Sequence, residues 1–480
     1  MKGIRAALLL TAALLIFFSA VCGCAGAHGA SGSGVNLRNT SAKSSLTGYE
    51  NRLFDSSHVH AVDIAISGKD WTKLLKDPLA KKNFRVSVTI DGERFKDVSF
   101  STKGRYSLRS VADDSNSIRY SFKVVFDKYN RDQSYYGLCD LLLNNNTADA
   151  TSMKDYLSYG IFRRTQVPAP LCSYVWLTIN GRDHGLYLAV EDIGPSFLER
   201  TSKGPGMLYK PEAKDLPAHN EKQPGNTVSY PAHRGADLVY TDDNIDSYSD
   251  IFDNAETKAD KEDRQRVIAA LKLLSGGKAD LCVDTDEVIR YFAAHNFVLN
   301  YDSYTGIMLH NYYLYENNGI LSMFPWDYNQ AFGGGVERGT VTSDATELLN
   351  SGIDTPLSDT TADARPMWKW IVSCSRYLKA YRDVLDTLVG SYFESGEFCR
   401  EIDALYQMLL PYVEKDPTAF YTAEEFKTAY RTIREFCLLR AKSIRLQLEG
   451  KLSSSSRGQK ASERVDGSAL CVRDMGTIEQ

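Results

Sequence analysis

Two aspartates frame the stretch of this chain that could do chemistry. Asp302 stands in Asn300-Tyr301-Asp302-Ser303-Tyr304, directly after an apolar segment. Asp327 stands in Pro325-Trp326-Asp327-Tyr328-Asn329, just ahead of Gly333-Gly334-Gly335. One carboxylate can orient or deprotonate an attacking hydroxyl while another holds the metal that neutralises phosphates, which is the division of labour in phosphoryl transfer. The plainer readings are a helix-end or turn residue for Asp302 and a turn cap for Asp327. An acid between Trp326 and Tyr328 is a costly cap, because enclosure by aromatic rings removes its hydration.

Phosphates also need cations held away from water. Lys103, Arg105, Lys123, Lys154 and Lys210 are the candidates in the N-terminal half. Lys123 alternates within a strand-like run and could pair with Glu191 at the end of another. The competing reading is a solvent-facing lysine and a surface glutamate. Trp326 offers a ring for stacking on adenine, whereas core packing is the simpler use of Tyr312, Tyr313 and Tyr315.

The elements that must position these groups follow from periodicity. Val288, Ile289, Phe292, Ala293, Asn296 and Phe297 sit at helical spacing and lead to Asp302. His310 to Tyr315 reads as a strand, Asn317-Asn318-Gly319 as a turn and Ile320 to Phe324 as the return strand, which ends at Asp327. From about 58 to 212 the text is strand-like, with hairpin turns expected at Asp91-Gly92 and Asn180-Gly181. One helix, Thr151 to Arg164, interrupts it before Pro168 and Pro170. Residues 262–299 and 364–448 turn helical, ending in an amphipathic run from Arg434 to Leu448. This order predicts an α+β fold with a β-rich N-terminal lobe over 58–240 and a helical C-terminal lobe over 241–450. The polar stretch 451–480, opening on Ser453-Ser454-Ser455-Ser456, is expected to be disordered.

These segments resemble the CotH family, the spore-coat-protein-H-like atypical protein kinases. The resemblance rests on "WLTINGRDHGLYLAVEDI", "NYDSYTG", "HNYYLYENNG" and "FPWDYNQAFGGG", with "PYVEKDPTAFYTAEEFKTAYRTIREF" and "RAKSIRLQL" downstream, and spans roughly 60–450. It implies a kinase-like two-lobed fold, ATP with Mg2+ or Mn2+, and phosphorylation of protein Ser or Thr. By similarity, Asp302 matches the catalytic acid or base and Asp327 the metal ligand, with Asn329 or Asn311 completing the metal shell. Two departures from ordinary kinases stand out. There is no GxGxxG loop, Ser101 to Tyr106 being the one glycine-bearing basic segment near a strand in that half. The position five residues after Asp302, where ordinary kinases place a metal-binding Asn, is Ile307.

The start of the chain carries an export address. Lys2 and Arg5 precede an apolar run over 6–21, too short and too early for a membrane anchor. The run ends in Val21-Cys22-Gly23-Cys24, which resembles a bacterial lipobox with Cys24 as the lipidated residue. Residues 1–24 are therefore expected to be a lipoprotein-type signal peptide and 25–57 a flexible tether, placing the protein outside the cell on a lipid anchor. The 480 residues carry a net charge of −5, or −7 without Lys2 and Arg5, which gives no support for nucleic-acid binding. None of the 9 cysteines forms a CxxC pair, so buried free thiols are expected rather than a thiolate metal site. Two rival functions fit parts of the text. One is a non-catalytic surface binding or adhesion protein on the same fold. The other is a glycoside hydrolase using Asp302 and Asp327 as paired acids.

Overall fold

The computed structural model describes residues 48–213, 234–334, 344–358 and 360–476. The expected signal peptide, Cys24 and the tether up to residue 47 lie outside the described residues. Seven strands close into a barrel: β1 (His60–Ala65), β2 (Phe84–Ile90), β3 (Glu93–Thr102), β4 (Phe122–Val125), β5 (Asp140–Asn144), β6 (Cys172–Ile179) and β7 (Arg182–Glu191). Their order is β1-β2-β3-β4-β5-β7-β6, and the parallel pairing of β6 with β1 completes the ring. Two of the hairpins turn where expected. Asp91-Gly92 and Asn180-Gly181 both carry positive φ at each residue, the geometry that matches the twist of adjoining strands.

Alternation along the strands sends one set of side chains into the barrel and the other outward. Val62, Ile64, Val88, Phe100, Phe122, Val124, Leu141 and Leu143 fill the interior. Tyr49 and Leu53 are fully buried against that core, so the expected tether gives way to folded chain before residue 57.

The outer faces of β5, β6 and β7 join a second core with the helices Lys154–Arg164 and Thr285–Val298. The same core takes in a three-stranded sheet ordered β10-β9-β8, made of β8 (Met207–Tyr209), β9 (Tyr312–Asn317) and β10 (Ile320–Pro325). The turn between β9 and β10 is Asn318-Gly319, again at positive φ. Because β8 pairs with β9, a lobe boundary at 240/241 cuts through one sheet.

The chain then runs through helices Ser375–Leu388, Glu397–Val413 and the 26-residue Ala423–Leu448, which opens on a Thr422/Glu425 capping box. The tail expected to be disordered is folded from 451 to 476. Leu452, Val465, Val472 and Met475 are buried, and Val465 N–H donates to the Asn350 side chain at 3.0 Å. Four apolar anchors, with backbone and hydroxyl partners between them, order a stretch whose composition is otherwise polar. The seven described cysteines are free thiols. No helix among the described residues is long and apolar enough to cross a membrane.

Candidate functional site

The site begins on the outer wall of the barrel, where strand register decides which residues meet. Ser101 pairs with Lys123, Lys123 with Leu142, and Leu142 with Val190. Directly opposed residues share a face, as do residues two apart on one strand. Lys103, Lys123, Asp140, Asn144 and Asp192 therefore face the helices together. Lys103 Nζ donates to Asn144 Oδ1, and Asn144 Nδ2 reaches Asp155 Oδ2 at 3.4 Å.

Asp155 and Tyr159 come from the helix Lys154–Arg164 at i and i+4, so both present to one side. They hold consecutive amides of the turn after β10. Asp327 N–H donates to the Tyr159 hydroxyl at 3.1 Å, and Tyr328 N–H donates to Asp155 Oδ1 at 2.7 Å. That turn places Asp327 at φ +52, a left-handed conformation uncommon outside glycine but better tolerated by Asp than by most residues.

Asp302 is tied to the same turn through Asn300. The Asn300 side chain accepts Asp302 N–H at 3.1 Å and donates to the Asp327 carbonyl at 3.5 Å. The Asp302 carboxylate has His310 Nε2 at 2.9 Å on Oδ1 and accepts Asn311 Nδ2 at 3.0 Å on Oδ2. Behind both acids lies His295, whose ring meets the Tyr328 hydroxyl at 2.7 Å and the Thr305 hydroxyl at 2.6 Å. Burial pushes His295 down to about 3, so it stays neutral as an internal brace.

Burial, and then the neighbouring Asp327 charge, push the Asp155 carboxyl up to about 7. Burial lowers Lys103 even though Asp327, Asp192 and Asp155 all favour its charge. The buried Asp155, the half-buried Asp327 and the Lys103 ammonium thus lie close enough to feel one another's charge. Gln330, three residues past Asp327 and 1% exposed, has neither side-chain oxygen nor nitrogen hydrogen-bonded. Lys210 lies 5.4 Å from the Trp326 ring centre and Lys103 lies 6.0 Å from it, so two cations flank the tryptophan.

Several sequence expectations need correction. Lys123 does not pair with Glu191. Its Nζ lies 2.7 Å from Asp192 and 3.0 Å from Asp140. Burial opposes its charge, but those two acids outweigh burial and hold the ammonium above its ordinary value. Glu191 shares the face of Leu141, which points into the barrel, and there it binds Arg200 and the Tyr49 hydroxyl. The expected partner was wrong by one residue, and one residue along a strand reverses the face.

Lys154 is fully buried and donates to the carbonyls of Gly476 at 3.0 Å and Ala148 at 3.4 Å. Successive helical residues diverge by about 100°, so Asp155 faces Asp327 while Lys154 anchors the C-terminal segment. Arg105 is exposed and paired with Glu212. Asn311 uses its amide nitrogen on Asp302, and Asn329 is partly buried two residues beyond Asp327. Sequence reasoning missed Asp155, Asn144, Asp192, Asn300 and Gln330. Asp192, Asn300 and Gln330, which lie inside the segments already singled out, carried a signal that could have found them; Asp155 and Asn144 did not.

An outer barrel wall of lysines facing acids borne by a helix and a hairpin defines an α+β protein with a buried charged centre. A family profile described as CotH kinase protein matches residues 100–444. The chain belongs to that family. Inner spore coat protein H of Bacillus subtilis (strain 168) is 22% identical over 323 residues, covering 65% of this chain and 79% of that protein. The inner spore coat protein H-like protein of the same organism is 38% identical over 76 residues, 16% of this chain and 23% of that protein.

Proposed function

We propose that this chain transfers the γ-phosphoryl group of ATP to Ser or Thr of surface or coat proteins. In this reading the barrel serves as the N-terminal lobe of a kinase-like arrangement and the helical half as the C-terminal lobe. The observation that carries it is the Asn300 bridge, which ties the Asp302 amide to the Asp327 carbonyl, with Asp327 in turn close to Lys103. Asp302 takes the proton of the acceptor hydroxyl, and His310 and Asn311 fix the direction of its carboxylate. Asp327 and Asp155 would hold Mg2+ or Mn2+, with Asn329 nearby; such an ion supplies charge neutralisation at the phosphates. Lys103 and Lys210 receive phosphate oxygens, and Trp326 between them limits water. The coat proteins among its relatives and the lipobox-like start both favour action outside the cell, from a lipid anchor at Cys24.

The test is incubation with γ-labelled ATP and Mg2+ or Mn2+, with Asp327→Ala and Asp302→Asn alongside. Label on the protein or on a Ser-rich acceptor, lost in both variants, is the expected result. No label from folded protein under either metal would overturn the reading and favour a non-catalytic binding role.

A further inference from the structure

A second cluster of chemistry-bearing side chains sits at the start of β1. His58 and His60 are two residues apart, and the rings lie 4.1 Å centre to centre. Asp91, at the β2–β3 turn, reaches the same place from across the sheet. One ligand atom from each of the three lies within 4.8 Å of the others. The cluster is remote from the phosphoryl site, because β3 begins beside this turn and ends beside Lys103. Ten strand residues separate them by about 30 Å.

The hydrogen bonds around His60 carry the argument. Its ring is 2% exposed and fixed between two acceptors, with Nε2 2.8 Å from the Asp55 carbonyl and Nδ1 2.7 Å from Asp91 Oδ2. If Nε2–H donates to the carbonyl, Nδ1 presents a lone pair to a carboxylate oxygen, and only a cation resolves that contact. A proton would suffice for an isolated pair. A second imidazole at the same point, on His58, is what a proton does not require and a metal does. The Asp55 carbonyl then plays the part usual behind a metal-bound imidazole, fixing tautomer and ring plane. The Asp91 carboxylate is held as well, since its other oxygen accepts Ala61 N–H at 2.9 Å.

We propose that His58, His60 and Asp91 form a binding site for a zinc-type divalent cation. Two imidazoles and one carboxylate favour a borderline ion over Mg2+, and the exposure of His58 and Asp91 leaves room for a water as fourth ligand. Tetrahedral bonds of about 2.0–2.1 Å would set ligand atoms about 3.3 Å apart. Asp91 would therefore draw back slightly from His60 and the His58 ring would close in.

The experiment is calorimetric titration of the tag-free protein with Zn2+, repeated with Co2+ to read the absorption of a tetrahedral site. The variants are His58→Ala, Asp91→Asn and Asp327→Ala. His58→Ala keeps the His60–Asp91 contact, so an unchanged zinc-free melting temperature verifies its fold. The expected result is one equivalent of tight zinc, weakened at least tenfold by His58→Ala and Asp91→Asn and retained in Asp327→Ala. Retention of that equivalent in His58→Ala, or no zinc uptake by the folded wild-type protein, would overturn the site. Either outcome leaves the phosphoryl-transfer reading untouched.

Discussion

Two buried charged clusters lie against the barrel, and they are satisfied to different degrees. At the first, Arg119 from the segment before β4 meets Asp416 from the loop between the helices Glu397–Val413 and Ala423–Leu448, both almost fully buried. Arg119 also donates to the carbonyls of Asn145 and Leu186 and to the Thr418 hydroxyl. Asp416 accepts the amides of Leu186 and Thr418 besides the guanidinium. Gly185 lets it approach, since a Cβ there would fall 2.1 Å from the Asp416 oxygen. At the second cluster, burial and then the Asp327 charge oppose ionisation of Asp155, Lys103 is held against its tendency to lose a proton, and Gln330, three residues beyond Asp327, has no side-chain hydrogen bond. A fully paired cluster joins two parts of a fold. An incompletely paired one is where the proposed ion and phosphates would supply the missing partners.

The comparison breaks most sharply at the junction. Arg119→Met leaves Asp416 buried without its guanidinium and is expected to cost about 3–5 kcal/mol in denaturant unfolding. Gly185→Ala should cost about 1–3 kcal/mol, from φ +114 and the displaced carboxylate together. At the other cluster the effect reverses. Asp155 keeps a proton in the folded protein up to about 7, whereas the unfolded chain releases it near 3.8. Metal-free stability should therefore fall as pH rises through that window. Asp155→Asn, whose side-chain oxygen can still accept Tyr328 N–H, is expected to remove the slope and raise the melting temperature at pH 8, by less than Arg119→Met lowers it. The smallest effect sharpens the corrected pairing. A double-mutant cycle should couple Lys123 to Asp192 by roughly 1 kcal/mol or less, since the lysine is partly exposed, and should find no coupling to Glu191.

How much of this was legible depends on where the information lay. The hairpins at Asp91-Gly92, Asn180-Gly181 and Asn318-Gly319 were readable because only certain residues accept positive φ at both turn positions. Asp302 and Asp327 stood out because each ends an element and adjoins unusual neighbours. Asp155 was hidden inside a helix, where packing alone decides that it, and not Lys154, turns toward Asp327. Glu191 and Asp192 are adjacent in sequence, and only the barrel's register tells which meets Lys123. The C-terminal segment misled because its polarity concealed anchors as widely spaced as Leu452, Val465 and Met475.

The central claim is that the Asp155–Asp327 cluster is built to receive a nucleotide-bound cation. Equilibrium binding of Mn2+ with ATP, compared between wild type and a folded Asp327→Ala variant, tests it most directly. The account predicts at least a tenfold loss of affinity in the variant. Equal affinity in the two proteins would contradict it.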